Sequence, residues 1–584
     1  MKSFFKNVFA NIVAIFLICI VFGLFLVVIV SASAMSDDAK VDVKSNSVLT
    51  LNLESKIIDS PTENQESLFN QNEGKSILIY DMIDAVKKAK TDDNIKGISL
   101  EVDGVNAGLT QIDELRKALE DFKKSGKFVY AYGNTVSQSS YYLSSVADQY
   151  FLSPAGGIEL KGMSTEIMFF KDFTDKYGIS TEIIRHGTFK AAVEPFMRNE
   201  MSPENKLQMS TLLNDIWKNN AAKIANSRKI DSTQFKTVVD SLYGVLPELT
   251  TKYKLADKLI QRSEYDQILR TKLKLKENKK INRISFDDYI GSYKKEVGNS
   301  TDQVAVLYAS GTIYDGKGYN NIYAEDFIKQ IKKLADNDHV KAVVLRVNSP
   351  GGSANASDQI LYELAELKKK KPLVVSFGDY AASGGYYISM AADKIYSEPN
   401  TITGSIGVFG IIPYFKDLAH KNGINSEVVG TNANSAMYSP INGLTPGALT
   451  IMTKNVEHTY NRFVNFVSSN RKKTFAEIDA IGGGRVWSGT RAKQIGLVDE
   501  LGSLHDAVNF AAQKAGLKDP SIGTYPKKLS AFEQIFKTLD KDEISTKILE
   551  KKLGKENYEL FEQITNPKMK QGVMMEMPFK VEIK

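Results

Sequence analysis

The 584-residue sequence contains most of itself twice, and no other feature restricts its fold so strongly. "DMIDAVKKAKTDDNIKGISLEVDG", from Asp81, lies on "DFIKQIKKLADNDHVKAVVLRVNS", from Asp326, a shift of 245 residues. The same shift carries Tyr141-Tyr142 onto Tyr386-Tyr387 and "SSVADQYFLSP" onto "SMAADKIYSEP". With a slightly different offset, "VLTLNLESKIID" from Val48 echoes "VAVLYASGTIYD" from Val304. Agreement of so many segments in one order means a duplicated domain, and a duplication sets the architecture before any local reading.

Each copy reads as α/β. In the second, "KAVVLRV" is an apolar run of strand length, broken by "NSPGGS". "ASDQILYELAELKKKK" follows at helical spacing, with Ile360, Leu361, Leu364 and Leu367 on one face and lysines at its end. "PLVVSF" is the next buried strand, "SGGYYISMAAD" the next helix and "KIYSE" a short strand. Such alternation predicts parallel or mixed sheets with right-handed crossovers. The expected organisation is an N-terminal anchor over 1–35, a first repeat over 36–270, a basic linker over 271–300, a second repeat over 301–519 and a helical tail over 520–584. Near its end "MMEMPF" carries three methionines, and the tail reads as a packed helix plus strand, with an oligomer contact or a membrane-surface segment as the alternatives.

Residues 8–30 carry no charge, and a membrane span needs about 20 apolar residues. Lys2 and Lys6 precede this run, so the positive-inside rule keeps the N-terminus in the cytoplasm and exports the body. Ala32-Ser33-Ala34 fits a signal-peptidase site, but the apolar run is longer than a signal peptide's core, which favours an uncleaved transmembrane helix. The net charge of +6 is spread among interspersed signs and gives no sign of a nucleic-acid partner. Cys19 is the single cysteine, and the five histidines are scattered, so neither a metal site nor a cofactor is expected.

The copies diverge where chemistry would sit. Ser383 opens a helix after a strand in "YAASGGYY", and Gly351-Gly352 end the preceding strand at the same sheet edge. Taken alone, Ser383 reads first as a small residue between packed helices, and Pro-Gly-Gly equally as a plain turn. The 245-residue shift, however, puts Gln138 at the serine and Asn106-Ala107 at the glycines. The first copy instead has Lys190 in "HGTFKAAVEPF", where the second reads "VGTNANSAMYSP". One copy supplies a serine and the other a lysine, as expected if a single site is shared. A serine hydroxyl needs a base to take its proton, and a buried, neutral lysine can serve. His186 or His420, assisted by Asp379, is the chemical rival.

"YAASGGYYISMAADKIYSEPNTITGSIGVFG", "GTFKAAVEPF" and "WSGTRAKQIGLVDELGS" together resemble the signal peptide peptidase A family in its long, tandem bacterial form. The resemblance implies tandem Clp-protease/crotonase-like domains and a Ser–Lys dyad, with Ser383 as nucleophile and Lys190 as general base. It further implies that Ser405 orients the lysine and that Gly384, with Gly351 or Gly352, forms the oxyanion hole. It also implies a homotetramer on the periplasmic face of the cytoplasmic membrane, acting on signal-peptide remnants and hydrophobic peptides. A non-catalytic scaffold of the same fold, or a crotonase-like acyl-CoA enzyme, are the competing classes.

Overall fold

The computed structural model describes residues 41–52, 56–61, 76–276, 279–293, 302–518, 520–527 and 573–577, with residues 6, 9, 13–18, 20 and 21 near the start. The first copy builds one six-stranded parallel sheet. In chain order its strands are β1 (Ser47–Asn52), β2 (Ile95–Glu101), β3 (Phe128–Val136) and β4 (Gln149–Ile158). A strand outside this sheet, β5 (Ser180–His186), comes next, and β6 (Lys258–Leu259) and β7 (Asn282–Ser285) complete the sheet in the order β6-β4-β3-β2-β1-β7. Residues 282–293, inside the stretch expected to link the copies, form β7 and a helix that packs on the first copy.

The second copy repeats this arrangement. Its strands are β8 (Gln303–Ser310), β9 (Val340–Ser349), β10 (Gly351–Ser353), β11 (Leu373–Ala382), β12 (Lys394–Ser397), β13 (Ile402–Gly404), β14 (Val408–Tyr414), β15 (Val486–Ser488) and β16 (Ser521–Tyr525). An eight-stranded sheet runs β15-β13-β11-β9-β8-β16, with β12 beside β11 and the two-residue strand Glu500–Leu501 beside β12. The first strand of each copy carries the same irregularity one residue in, between Ser47 and Val48 and between Gln303 and Val304. The apolar run of β8 explains its place: Ala305, Leu307 and Ala309 face one core, and Val304, Val306 and Tyr308 the other. Successive side chains of a strand point to opposite faces, so a strand covered on both sides is apolar throughout.

The tyrosine pairs that the two copies share pack in the cores: Tyr141, Tyr142, Tyr386 and Tyr387 are all buried. Tyr141 Oη donates to Leu255 O at 2.8 Å, and Tyr386 Oη to Leu497 O at 2.6 Å.

A third sheet joins the copies. In it β5 pairs antiparallel with β14, from His186 opposite Val408 to Ser180 opposite Tyr414. The final described strand, β17 (Met574–Glu576), lies between β14 and β10. The copies also meet at Arg346, fully buried on β9. Its guanidinium donates to Asp59 at 2.8–3.1 Å and to Glu114 at 3.1 Å, both from the first copy.

Among the described residues no helix is long and apolar enough to cross a membrane. The expected span, residues 8–30, lies largely outside them. Those described within it, 13–18 and 20–21, are helical, and Ile15, Phe16, Ile18 and Val21 are 62–67% exposed. The expected helical part of the tail also lies outside the described residues, while its described parts, β16 and β17, are strands.

Candidate active site

β11 ends at Ala382, and a five-residue helix begins at Gly384. Ser383 turns the chain between them at φ 53° and ψ −113°, a conformation that side-chain-bearing residues rarely adopt. Such strain costs on the order of 1–3 kcal/mol and persists only where surroundings enforce it. Here Ser383 N donates to Gly404 O at 2.8 Å, and Ser383 O accepts from Tyr387 N at 2.8 Å. The hydroxyl is thereby held at the sheet edge, fully buried.

Lys190 reaches that hydroxyl from the first copy. The β5–β14 pairing ends with His186 opposite Val408, four residues before the lysine. The loop that follows is fixed by buried polar groups. Glu194 accepts from Ser202 Oγ at 2.5 Å and Asn205 Nδ2 at 2.9 Å, and Gln208 Nε2 donates to Phe189 O at 3.1 Å. The aliphatic stem lies against two glycines. A Cβ on Gly484 would stand 2.6 Å from the Lys190 Cβ, and one on Gly407 3.2 Å from its Cδ.

Lys190 Nζ is within hydrogen-bonding distance of Ser383 Oγ (2.9 Å), Ser405 Oγ (2.9 Å) and Ser405 O (3.2 Å). The side chain is fully buried. Burial penalises the charged amine and brings its pKa from 10.5 down to about 7, against the opposing pull of the Glu576 carboxylate. An amine so placed can take a proton from the serine near neutral pH. Ser405, itself at φ 51°, donates its backbone N–H to Arg485 O at 2.7 Å, which sets its hydroxyl toward Nζ.

Gly384 and Gly351 face each other across the site: a Cβ on Gly351 would stand 2.7 Å from Gly384 N. Gly351 N–H donates to Ser349 Oγ at 3.2 Å.

The histidine alternative does not assemble. His186 stacks on Tyr460 at 3.8 Å between ring centroids, and His420 is exposed on a surface helix. Asp379 accepts instead from Thr110 N, Thr110 Oγ1 and Gln111 Nε2 at 2.9–3.0 Å, all from the first copy.

The family model for Peptidase family S49 matches residues 121–276 and 365–518, one stretch in each copy, and that for Clp protease matches residues 294–403. Protease 4 of Haemophilus influenzae is 37% identical over 84% of this chain and 83% of its own. The chain belongs to peptidase family S49. Protease 4 of Salmonella typhi is 34% identical over 92% of this chain and 88% of its own. The chloroplastic serine protease SPPA of Arabidopsis thaliana is 30% identical over 81% and 70%. The protein is thus a serine peptidase built from tandem Clp-like α/β domains.

Four features of the S49 peptidase site escaped the sequence reading. Gly407 and Gly484 make room for the lysine stem, and the Glu194 cluster anchors its loop. The first copy's counterpart of the serine position is plugged: Gln138 Oε1 accepts from Lys161 N and Gly162 N at 3.0 and 2.9 Å. Finally, β17 from the C-terminal tail lies along β10, directly beside the glycines. No spacing announced that pairing; the cluster of methionines was its one visible trace.

Proposed function

We propose that this peptidase uses Ser383 as nucleophile and Lys190 as general base. The observation that carries the reading is the buried Lys190 amine, 2.9 Å from the Ser383 hydroxyl. Neutral Lys190 takes the hydroxyl proton as Ser383 Oγ attacks a peptide carbonyl carbon. The carbonyl oxygen becomes an oxyanion, for which Gly384 N–H and Gly352 N–H are the donors. Lys190 then gives the proton to the leaving amine as the C–N bond breaks. A water, deprotonated by the same amine, hydrolyses the acyl-serine. Removing one oxyanion donor typically costs about 10²–10³ in rate.

The substrates in this reading are signal-peptide remnants and other hydrophobic peptides, met at the periplasmic face of the cytoplasmic membrane. Support comes from the uncharged run over 8–30 and from the exposed apolar side chains of its described residues. The chain would work as a homotetramer. Phe173 and Tyr177, on one segment, and Ile424, Val428 and Val429, on its neighbour, are 46–96% exposed, and contiguous exposed apolar surface marks contact sites. The two segments touch, since Leu418 N donates to Gly178 O at 3.0 Å.

Hydrolysis of a synthetic signal peptide by the full chain in detergent, beside Ser383→Ala and Lys190→Ala, tests the chemistry. Cleavage retained in Ser383→Ala would refute it. Light scattering and membrane fractionation test the assembly and the anchor: a monomer in the soluble fraction would remove both.

A further inference from the structure

Lys190 stands on a loop that one face of one helix holds on both sides of it. The helix Pro203–Arg228 is capped by Ser202, and Ser202, Asn205 and Gln208 follow at intervals of three, so they share a face. All three are only 1–3% exposed. Beyond the lysine, Glu194 accepts from Ser202 N, Ser202 Oγ and Asn205 Nδ2 at 2.5–3.2 Å. Before the lysine, Phe189 O accepts from Gln208 Nε2 at 3.1 Å. Gln208 Nε2 also donates to Asn205 Oδ1 at 3.1 Å, so Glu194, Asn205 and Gln208 form one continuous chain.

The far end of that chain reaches the second copy. Gln208 Oε1 accepts from Val486 N at 3.4 Å, and Val486 stands opposite Gly404 where β15 pairs with β13. The residues leading into β15 are bonded to both partners of the amine. Gly483 O accepts from Phe189 N at 3.1 Å, Gly484 N donates to Ile406 O at 2.7 Å, and Arg485 O accepts from Ser405 N at 2.7 Å. Residues 483–486 are therefore a splint between the lysine loop and Ser405. Gln208 closes it, because its amide joins Val486 N–H to Phe189 C=O as a peptide unit does in a ladder.

A side-chain amide has an acceptor oxygen and two N–H donors, and here all of them are used. A carboxylate of the same shape accepts only. It would keep the bond from Val486 N but turn an acceptor toward Phe189 O and Asn205 Oδ1, and buried acceptors without donors are costly.

We propose that Gln208 is a positioning residue for Lys190, its amide fixing where the general base stands relative to Ser383 and Ser405. The inference rests on the Ser383–Lys190 reading above. Gln208 acts through the main chain of Phe189 and Val486. The amine must keep 2.9 Å to two hydroxyls at once, and a misplacement of about 1 Å in such a site can cost about 100-fold in rate. The same support keeps the amine dry. A loop that moves off Gly484 and Gly407 lets water reach Nζ, which relieves the penalty on the charged form and raises the pKa from about 7.

The test is hydrolysis of the synthetic signal peptide by the full chain across pH, for wild type, Gln208→Glu and Gln208→Met, beside Ser383→Ala and Lys190→Ala. Both Gln208 variants are expected to lower kcat by about 10–100-fold with KM little changed. The midpoint of the pH–rate profile should move upward in both, and further in Gln208→Glu, whose carboxylate also favours the charged amine. Gln208→Met adds no charge and carries the test alone if the carboxylate prevents folding. Thermal unfolding is measured on each variant. A lower unfolding temperature with the midpoint of the folded enzyme unmoved would show that Gln208 is structural only, and overturns the inference. Wild-type kcat and midpoint in both Gln208 variants, with Ser383→Ala and Lys190→Ala inactive, overturns it and leaves the proposed function standing. Turnover retained in Lys190→Ala overturns both.

Discussion

Lys190 Nζ lies 2.9 Å from Ser383 Oγ although 193 residues separate them, and the contact is made within one chain. Each duplicated domain has kept one half of the pair. Ser383→Ala and Lys190→Ala should each lower turnover by about 10³-fold or more, since general-base assistance alone contributes typically 10²–10⁴. Mixing the two variants should leave the mixture inactive, because neither chain then holds both groups. Peptide hydrolysis by each variant and by the mixture checks this, with thermal unfolding to show that both still fold. Activity restored on mixing would mean that the working contact is formed across chains.

The lysine's buried position sets the pH dependence. With the amine near 7, the wild-type rate should rise through about pH 7 and level off well below 10.5, the ordinary lysine value. Stability must follow the same group. A lysine whose folded pKa is depressed binds fewer protons folded than unfolded between about 7 and 10.5, so stability climbs with pH across that window. Lys190→Met removes this penalty. It should be inactive yet more stable than wild type near pH 7, by on the order of 2 kcal/mol, with the difference shrinking toward pH 10. Urea denaturation at several pH values measures it, and a variant destabilised at every pH would contradict the assignment.

The pair was legible in the sequence because the duplication supplied an internal comparison: Gln138 stands where Ser383 should recur, and the second copy has no lysine at the place of Lys190. Continuous apolar runs likewise marked β9 and β11, because strands buried on both faces leave no other pattern. What stayed hidden depended on tertiary partners. β7 is "NRIS", four residues with one apolar side chain, and it is a strand because β1 offers an unpaired edge. β17 has three residues and no period to read, and the strands on its two sides, at Gly351–Ser353 and at Phe409, give it direction. Asp379 looked available to orient a histidine, whereas the first copy's Thr110 and Gln111 claim it.

In the proposed mechanism Ser405, which hydrogen-bonds the lysine amine, is a positioning residue. Its hydroxyl shares Nζ with Ser383, each at 2.9 Å. Ser405→Ala leaves the buried amine short of one partner, a loss of about 1–3 kcal/mol for a buried polar group. The expected outcome is kcat lower by roughly 10–100-fold with KM little changed, and a shifted midpoint in the pH–rate profile. Ser405→Thr keeps a hydroxyl and should recover part of the rate. A rise in KM with kcat intact would show that Ser405 serves binding.

The union of the copies turns on Arg346. Its guanidinium is buried between Asp59 and Glu114 of the first copy and also donates to Ser376 Oγ at 2.9 Å and Phe377 O at 2.8 Å of its own. Burial pushes the Glu114 carboxyl up to about 8, with the arginine pulling the other way. Arg346→Met deletes the positive charge and strands both carboxylates, and breaking a buried pair in this way costs about 3–5 kcal/mol. The loss should depend on pH with a definite sign. A carboxyl whose folded pKa lies above its unfolded value takes up protons on folding between about 4.5 and 8, so it favours the folded state at the acidic end of that window. Arg346→Met should therefore be more damaging at pH 8 than at pH 5, and Glu114→Gln in the same chain should restore part of the stability. Chemical denaturation at the two pH values measures the difference, and equal losses at both would show that the carboxylates are not the source of the damage.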